Sequence, residues 1–184
     1  MTTYVAFLRG VNLGPQRKVS MPRLVELARA LGYEDVWTWV NTGNLVLTTD
    51  RGSDVVEREV AEAVEQEYGS PTDVTVRTAD ELRALADANP FPDGSPSQVT
   101  VTFLMGPAAD DAEQRLARTA TAAEPFRLGE REVWVHYGDG LGRSRLAVGF
   151  SRAVGVSSTT RTFGTVRKIV EKIDARSGRT PASA

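Results

Sequence analysis

Short β-prone segments and amphipathic helical segments alternate in the same order twice along the chain. The first series begins at the apolar segment Thr3–Leu8, and the second begins at Gln98–Met105. In each series the order is strand, helix, strand, strand, helix, strand, which is the ferredoxin-like supersecondary unit. The sequence therefore predicts an α+β protein of two tandem ferredoxin-like (βαββαβ) units with antiparallel sheets, plus linking and C-terminal helices.

The predicted domain boundaries follow from a proline-rich stretch between the two series. Residues 1–78 form the first unit, residues 79–97 a helix followed by a linker with three prolines, and residues 98–184 the second unit with a C-terminal helix. Pro125 places the second strand of the second unit at a sheet edge, because proline cannot donate to a central ladder. No residue-level identity is expected between the halves, so the predicted repeat is one of element order.

Composition excludes several classes of site. The chain has 184 residues, no cysteine and a single histidine, His136. Disulfide scaffolds, thiol nucleophiles and cysteine or multi-histidine metal sites are therefore excluded, and we expect no metal and no cofactor. No apolar run is long enough to span a bilayer, so we expect a cytoplasmic protein without a membrane partner. The sequence does not reveal a reaction, and it leaves open whether the protein is an enzyme.

Hydrophobic periodicity predicts the residues of the core. Apolar side chains recur at helical spacing in the helices and alternate in the strands. Six of them are expected to be largely buried: Leu24, Leu31, Val46, Phe103, Val166 and Ile169.

The loop after the first strand is the strongest candidate for a ligand site. In the ferredoxin-like order the end of strand one lies beside the start of strand three. This order should bring together Arg9, Asn12, Lys18, Thr42 and Asn44, with three glycines, Gly10, Gly14 and Gly43. Cationic side chains next to glycine-exposed N–H groups indicate a site for a phosphate or carboxylate group. The alternative is that Arg9 and Asn12 only brace the loop by bonding backbone carbonyls.

Several strings in the chain resemble a known bacterial family. These are Phe7–Gly14, Lys18–Met21, Thr42–Asn44, Gly140–Ser144 and Thr159–Arg161 with Thr165. They are similar to the uncharacterised family catalogued as domain of unknown function 1697, nearly end to end. The chain departs from the family pattern at Leu13, Pro15, Thr42, Thr162, Phe163 and Gly164. The resemblance implies a two-part α/β fold and supplies no established activity.

Two further sequence features have simpler interpretations. Arg161, Thr165, Lys168 and Lys172 are spaced to share a face of the last helix, which predicts a secondary basic face or an ordinary solvated one. The string Gly138–Gly142 resembles a dinucleotide-binding loop, but Arg143 occupies the place of the third glycine. It therefore indicates a turn between a strand and a helix.

Three functional hypotheses remain open at this point. The preferred one is a protein that binds a phosphorylated or carboxylated small molecule at the Arg9–Asn44 end of the first sheet. Basic segments, five Lys/Arg against one acidic residue in residues 1–30, allow a nucleic-acid-binding module instead. That module is the less favoured alternative, because the aromatic pattern of RNA-binding sheets is missing. The third hypothesis is an interaction or assembly module without a ligand, and the oligomeric state is not predicted.

Overall fold

The computed structural model of the chain describes residues 1–13 and 18–179. It divides into two compact units, Met1–Arg83 and Ala84–Ala184. The division falls within helix α3 (Ala79–Asp87), which follows directly on the last strand of the first unit. Together the described residues form an α+β structure with two four-stranded antiparallel sheets and six α-helices. No described helix has the length and apolar character required to cross a membrane.

The first unit contains four strands and two helices before α3. In chain order these are β1 (Thr2–Leu8), α1 (Met21–Ala30), β2 (Glu34–Thr38), β3 (Asn44–Thr49), α2 (Ser53–Tyr68) and β4 (Val74–Thr78). The strand order across the sheet is β2-β3-β1-β4, and every neighbouring pair is antiparallel. The first and third strands are therefore central partners, as the sequence predicts.

Local signals explain where the helices of the first unit begin and end. Ser20 caps α1, because its Oγ accepts a hydrogen bond from the Arg23 N–H at 3.4 Å. Gly69 ends α2 with a φ of 67°, a left-handed conformation that glycine adopts without steric cost. These are the sequence signals that mark helix ends in general.

Both faces of β1 are buried. Tyr4, Ala6 and Leu8 belong to the core cluster that includes the inward faces of α1 and α2. Val5 and Phe7 point to the opposite face, because side chains alternate along a strand, and they are also fully buried. The near-continuous apolar sequence of β1 is thus the pattern of a strand covered on both sides.

The second unit repeats the element order and adds a helix. Its elements are β5 (Val99–Leu104), α4 (Ala112–Thr119), β6 (Phe126–Leu128), β7 (Glu132–His136), α5 (Arg145–Val154), β8 (Ser158–Thr162) and α6 (Phe163–Ser177). The strand order is β6-β7-β5-β8, again antiparallel throughout. The strand beside Pro125, β6, lies at the edge, which confirms its predicted position.

Helices cover both faces of the second sheet. On one face Val133 and Val135 of β7 pack in a cluster with α4 and α5. On the other face Trp134 of β7 contacts Phe163 of α6, with ring centroids 5.5 Å apart. The tryptophan is only 5% exposed, so it is a packing residue of the core.

The two sheets share residues at equivalent register positions, and the expectation of no identity between the halves is wrong. Val5-x-Phe7-Leu8-x-Gly10, on β1 and just after it, corresponds to Val101-x-Phe103-Leu104-x-Gly106 on and after β5. Val5 pairs with Arg77 of β4, and Val101 pairs with Arg161 of β8. Thr75-x-Arg77-Thr78 then corresponds to Thr159-x-Arg161-Thr162.

The predicted core residues are buried with one exception. Leu24, Val46, Phe103, Val166 and Ile169 are each at most 1% exposed. Leu31 is only half-buried, because it is the C-cap residue of α1 and lies where the helix leaves the core.

Candidate functional site

The sheet pairing brings the loop after β1 next to the turn before β3. Phe7 is the register partner of Asn44, and the Leu8 N–H donates to the Gly43 carbonyl at 2.9 Å. The candidate residues on these two segments, Arg9 and Asn12 on one side and Thr42 and Asn44 on the other, therefore lie at one end of the first sheet. Gly14, which the sequence also assigns to this loop, lies outside the described residues.

Asn12 links the described ends of the loop to each other and to the turn before β3. Its Nδ2 donates to the Val19 carbonyl at 2.9 Å and to the Asn41 carbonyl at 2.7 Å, and its Oδ1 accepts from the Val19 N–H at 2.9 Å. Its φ of 57° is left-handed, a conformation that asparagine tolerates better than most residues. The side chain thus ties both ends of the loop to the turn, which is the bracing role that the sequence left open.

Asn44 plays a similar part in the turn. It is completely buried, and its Nδ2 donates to the Trp39 carbonyl at 2.9 Å and to Thr42 Oγ1 at 3.0 Å. Because these hydrogen bonds engage the amide group of Asn44 within the turn, Asn44 and Thr42 stabilise the turn beside the loop.

Arg9 is an exposed cation of the loop. Its Nη1 donates to Asp73 Oδ2 at 3.3 Å, while its main-chain N–H donates to the Asp73 carbonyl at 2.9 Å. Among the described residues only Nη1 of the guanidinium has a partner, and 45% of the side chain is exposed. No described residue therefore occupies the remaining N–H donors of the guanidinium.

Asp73 is the residue that sequence reasoning missed. It precedes β4, and β4 lies next to β1 on the side opposite β3. The strand order of the predicted unit was the signal that could have found it. Lys18 is exposed on the same loop, next to the Val19 that Asn12 holds, so Arg9, Lys18 and Asp73 together carry one net positive charge.

The secondary basic face is assembled differently from its sequence spacing. Arg161 does not lie on the last helix; it belongs to β8 and is 7% exposed. Thr165 Oγ1 shares a hydrogen bond with Thr162 Oγ1, the N-cap of α6, at 3.0 Å. Lys168 donates to Glu171 at 2.8 Å, and Lys172 follows on the same helix. The spacing was misread because the helix begins only at Phe163.

Arg161 instead has a structural twin. Its Nη1 donates to Thr159 Oγ1 at 2.7 Å and to the Thr160 carbonyl at 2.9 Å. Arg77 donates from Nη1 to Thr75 Oγ1 at 2.8 Å and to the Val76 carbonyl at 2.9 Å. Burial lowers the pKa of the Arg161 guanidinium to about 10. Both arginines thus make the same two hydrogen bonds within their own strand.

Comparison with known proteins agrees with this architecture. The model of the family described as "Protein of unknown function (DUF1697)" matches residues 1–134. The chain belongs to the DUF1697 family. This confirms the resemblance over residues 1–134, whereas the similar strings at Gly140–Ser144 and Thr159–Arg161 lie beyond the match.

A solved structure has the same fold as this DUF1697 protein. It is the conserved bacterial protein SP0830 from Streptococcus pneumoniae, with a TM-score of 0.72 and 18% sequence identity. The alignment covers 92% of this chain and 97% of that chain. No curated protein matches the chain significantly. Within residues 1–13 and 18–179, no group of three or more acidic or histidine side chains could hold a metal ion.

Proposed function

We propose that this DUF1697 protein binds a small molecule through a phosphate or carboxylate group at the loop that carries Arg9. The observation that supports this proposal is the hydrogen bonding and the exposure of the Arg9 side chain. One nitrogen of its guanidinium is held by Asp73, its side chain is half-exposed, and the neighbouring Asn12 is hydrogen-bonded to Val19 and to the turn. In this proposal Asn12 braces the loop and Arg9 binds the ligand, so the two interpretations of the sequence apply to different residues of one site.

The chemistry of Arg9 fits an oxyanion. A guanidinium presents its N–H groups in a planar fork that matches the oxygens of a carboxylate or phosphate. A carboxylate such as Asp73 that holds one side of the fork reduces the entropy that ligand binding must remove. Lys18 supplies a second, flexible positive charge on the same loop.

The second unit does not repeat this chemistry. Met105 stands where the first unit has Arg9, two residues beyond the shared phenylalanine of the central strand. Glu132, the register partner of Phe103, stands where the first unit has Asn44. The framework is repeated while the cation is not, which supports a function specific to the first unit.

A thermal-shift screen of phosphorylated and carboxylated metabolites tests the proposal. A ligand at about 100 times its Kd should raise the Tm by about 5–10 °C. Arg9→Ala and Arg9→Met should remove this shift and leave the Tm of the free protein nearly unchanged. Arg58→Ala is the matched control, because Arg58 is an exposed arginine of the same unit on α2.

Four results would count against the proposal. If no anion shifts the wild type, the site has no ligand of this class. If Arg9→Ala unfolds the protein, the arginine is a brace like Asn12. If nucleic acid binds and its affinity falls steeply with salt, the protein is a nucleic-acid-binding module. Self-association that rises with concentration, without ligand binding, would instead indicate an assembly module.

We also infer that each unit is a ferredoxin-like repeat, with residues 79–97 as the connecting segment. The support is the βαββαβ order in both halves and the identical strand order across both sheets. The shared residues at equivalent register positions add to it. A cytosolic location stays a prediction from composition.

A further inference from the structure

We propose a second small-molecule site in the second unit, in a cavity between the end of β7 and the start of α5. The site would take a molecule with an anionic group at one end and a hydrogen-bond donor, an amine or a hydroxyl, at the other. The cavity has a volume of about 440 Å³. That volume lies within the range of small-molecule sites in proteins.

Glu124 is the buried carboxylate of this cavity. It is only 6% exposed, and its Oε2 accepts hydrogen bonds from the Thr121 N–H and from Thr121 Oγ1, both at 3.1 Å. A hydrogen bond from the Ser144 hydroxyl, together with those from Thr121, lowers the pKa of Glu124 although burial opposes this. The carboxylate is therefore ionised at neutral pH.

No cationic side chain among the described residues neutralises Glu124. Its hydrogen-bond donors, Thr121 and Ser144, are neutral. Buried charges in proteins are usually paired, because the transfer of an ion out of water is costly. An ammonium or hydroxyl group of a ligand in the cavity would supply the missing partner.

Neutral polar groups of the same cavity wall support the carboxylate. Ser144 caps α5, since its Oγ accepts from the Ala147 N–H at 3.0 Å, and its own hydroxyl proton goes to Glu124. Tyr137, 2% exposed, also lines the cavity, and burial together with the charge of Glu124 raises the pKa of its phenol. The phenol stays protonated and can donate to a ligand.

Two arginines lie at the rim. Arg143 and Arg145 line the cavity, are exposed, and form no ion pair with any described residue. Asp139 also lines the rim and is exposed, so the rim carries one net positive charge. A cavity with a buried anion and a cationic rim fits a ligand of the opposite polarity, with its donor inward and its anion outward.

Two sources could supply a ligand with this chemistry: amino acids, with an ammonium and a carboxylate, and sugar phosphates, with hydroxyls and a phosphate. The experiment titrates the 184-residue chain with the twenty amino acids that occur in proteins in one series and with pentose and hexose phosphates in the other. Binding is followed by calorimetry and by amide NMR shifts. We expect a compound from one of the two series to bind and to change the NMR chemical shifts of the amides of Tyr137 and Ser144.

Substitutions at the rim then locate the binding. Arg143→Gln and Arg145→Gln should each weaken it by about tenfold or more, because each removes a charge-assisted hydrogen bond. Glu124→Gln should weaken ligand binding as well. The rim variants are the decisive test of the site, because exposed residues can be changed without affecting folding. Arg152→Gln is the matched control: Arg152 is exposed on the last turn of α5 and does not line the cavity.

The proposal is overturned if no compound of either series binds, or if binding survives both rim substitutions. It is also overturned if the ligand shifts only the amides of residues 9–13, because that result would place it at the Arg9 loop. Loss of binding in Arg9→Met, with binding intact in the rim variants, would have the same meaning. The two sites are thus tested separately.

Discussion

Adding a single methyl group at Gly43 tests how tightly the turn and the loop of the first site are packed. Gly43 has a φ of 74°, and its carbonyl accepts the hydrogen bond from the Leu8 N–H. A Cβ at this position would lie 2.6 Å from Val11 Cγ2 and 2.8 Å from Leu8 Cβ. The valine methyl can rotate away, but the Leu8 Cβ is fixed to the backbone, so β1 or the turn must move.

The expected cost has two parts. A left-handed conformation costs an alanine roughly 1–2 kcal/mol. Overpacking of a filled site typically adds about 1–3 kcal/mol, so Gly43→Ala should lower the free energy of unfolding by about 2–5 kcal/mol. Gly69→Ala is the matched control, because Gly69 has a φ of 67° and nothing lies within 4 Å of its would-be Cβ. The Gly69→Ala variant should lose only the roughly 1–2 kcal/mol of unfolding free energy that the left-handed conformation costs an alanine.

Urea unfolding measures the difference. The chain has three tryptophans, and Trp37 and Trp39 belong to the first unit. Fluorescence in a Trp134→Phe background therefore reports on that unit alone. A Gly43→Ala variant as stable as Gly69→Ala would refute the steric argument, and it would show that the loop and the turn can separate without cost.

Three further predictions concern stability. Leu24→Ala should cost about 2–5 kcal/mol in urea unfolding, because Leu24 is 1% exposed; a loss below about 0.5 kcal/mol, typical of surface changes, would contradict its burial. Val40→Asn should stabilise the protein by about 1 kcal/mol in the same assay, because a β-branched residue with a φ of 50° is strained. Val40 is 47% exposed, so few contacts should be lost. A loss of stability would show that the contacts of the valine outweigh its backbone strain. The lowered pKa of Glu124 stabilises the fold above the ordinary glutamate pKa of 4.5, and this contribution is lost as the pH falls through the lowered value. Glu124→Gln should therefore be less stable than wild type at about pH 7, and the difference should shrink at about pH 3; an equal difference at both values would mean that charge is not involved.

The element order could be predicted because each element carries its own local signal. Ser20 and Gly69 mark helix ends, and the alternation in β7 marks a strand. Leu31 was misjudged, since periodicity gives the face of a residue and not the point at which its helix leaves the core.

The structural equivalence of positions in the two units could not be established without the register. Val101 follows Val5 by 96 residues, whereas Arg161 follows Arg77 by 84. The partner positions on β3 and β7, Asn44 and Glu132, are offset by 88 residues. Because the connecting segments differ in length, no single alignment offset brings the equivalent positions together. The sheet pairings do so, since each pairing fixes one position against another.

At the candidate site, topology was predictable and side-chain partners were not. The proximity of the two segments depends on strand order alone, which the βαββαβ pattern implies. The partners of Asn12 depend on where the loop backbone turns its carbonyls toward the side chain. A loop of glycine and asparagine has several such conformations available, so composition cannot select one.

The internal repeat separates residues of the framework from residues of function. Arg77 and Arg161 occupy equivalent positions and make equivalent hydrogen bonds to the two residues that precede them, so they belong to the repeated framework. Arg9 has a methionine, Met105, at the equivalent position, so the fold does not need a cation there. Arg9 is thus an exposed charge that the fold does not require, and Asp73 holds only one of its nitrogens. A ligand-binding role would account for an arginine at this position. Arg143 and Arg145, at the rim of the cavity in the second unit, likewise form no ion pair with any described residue.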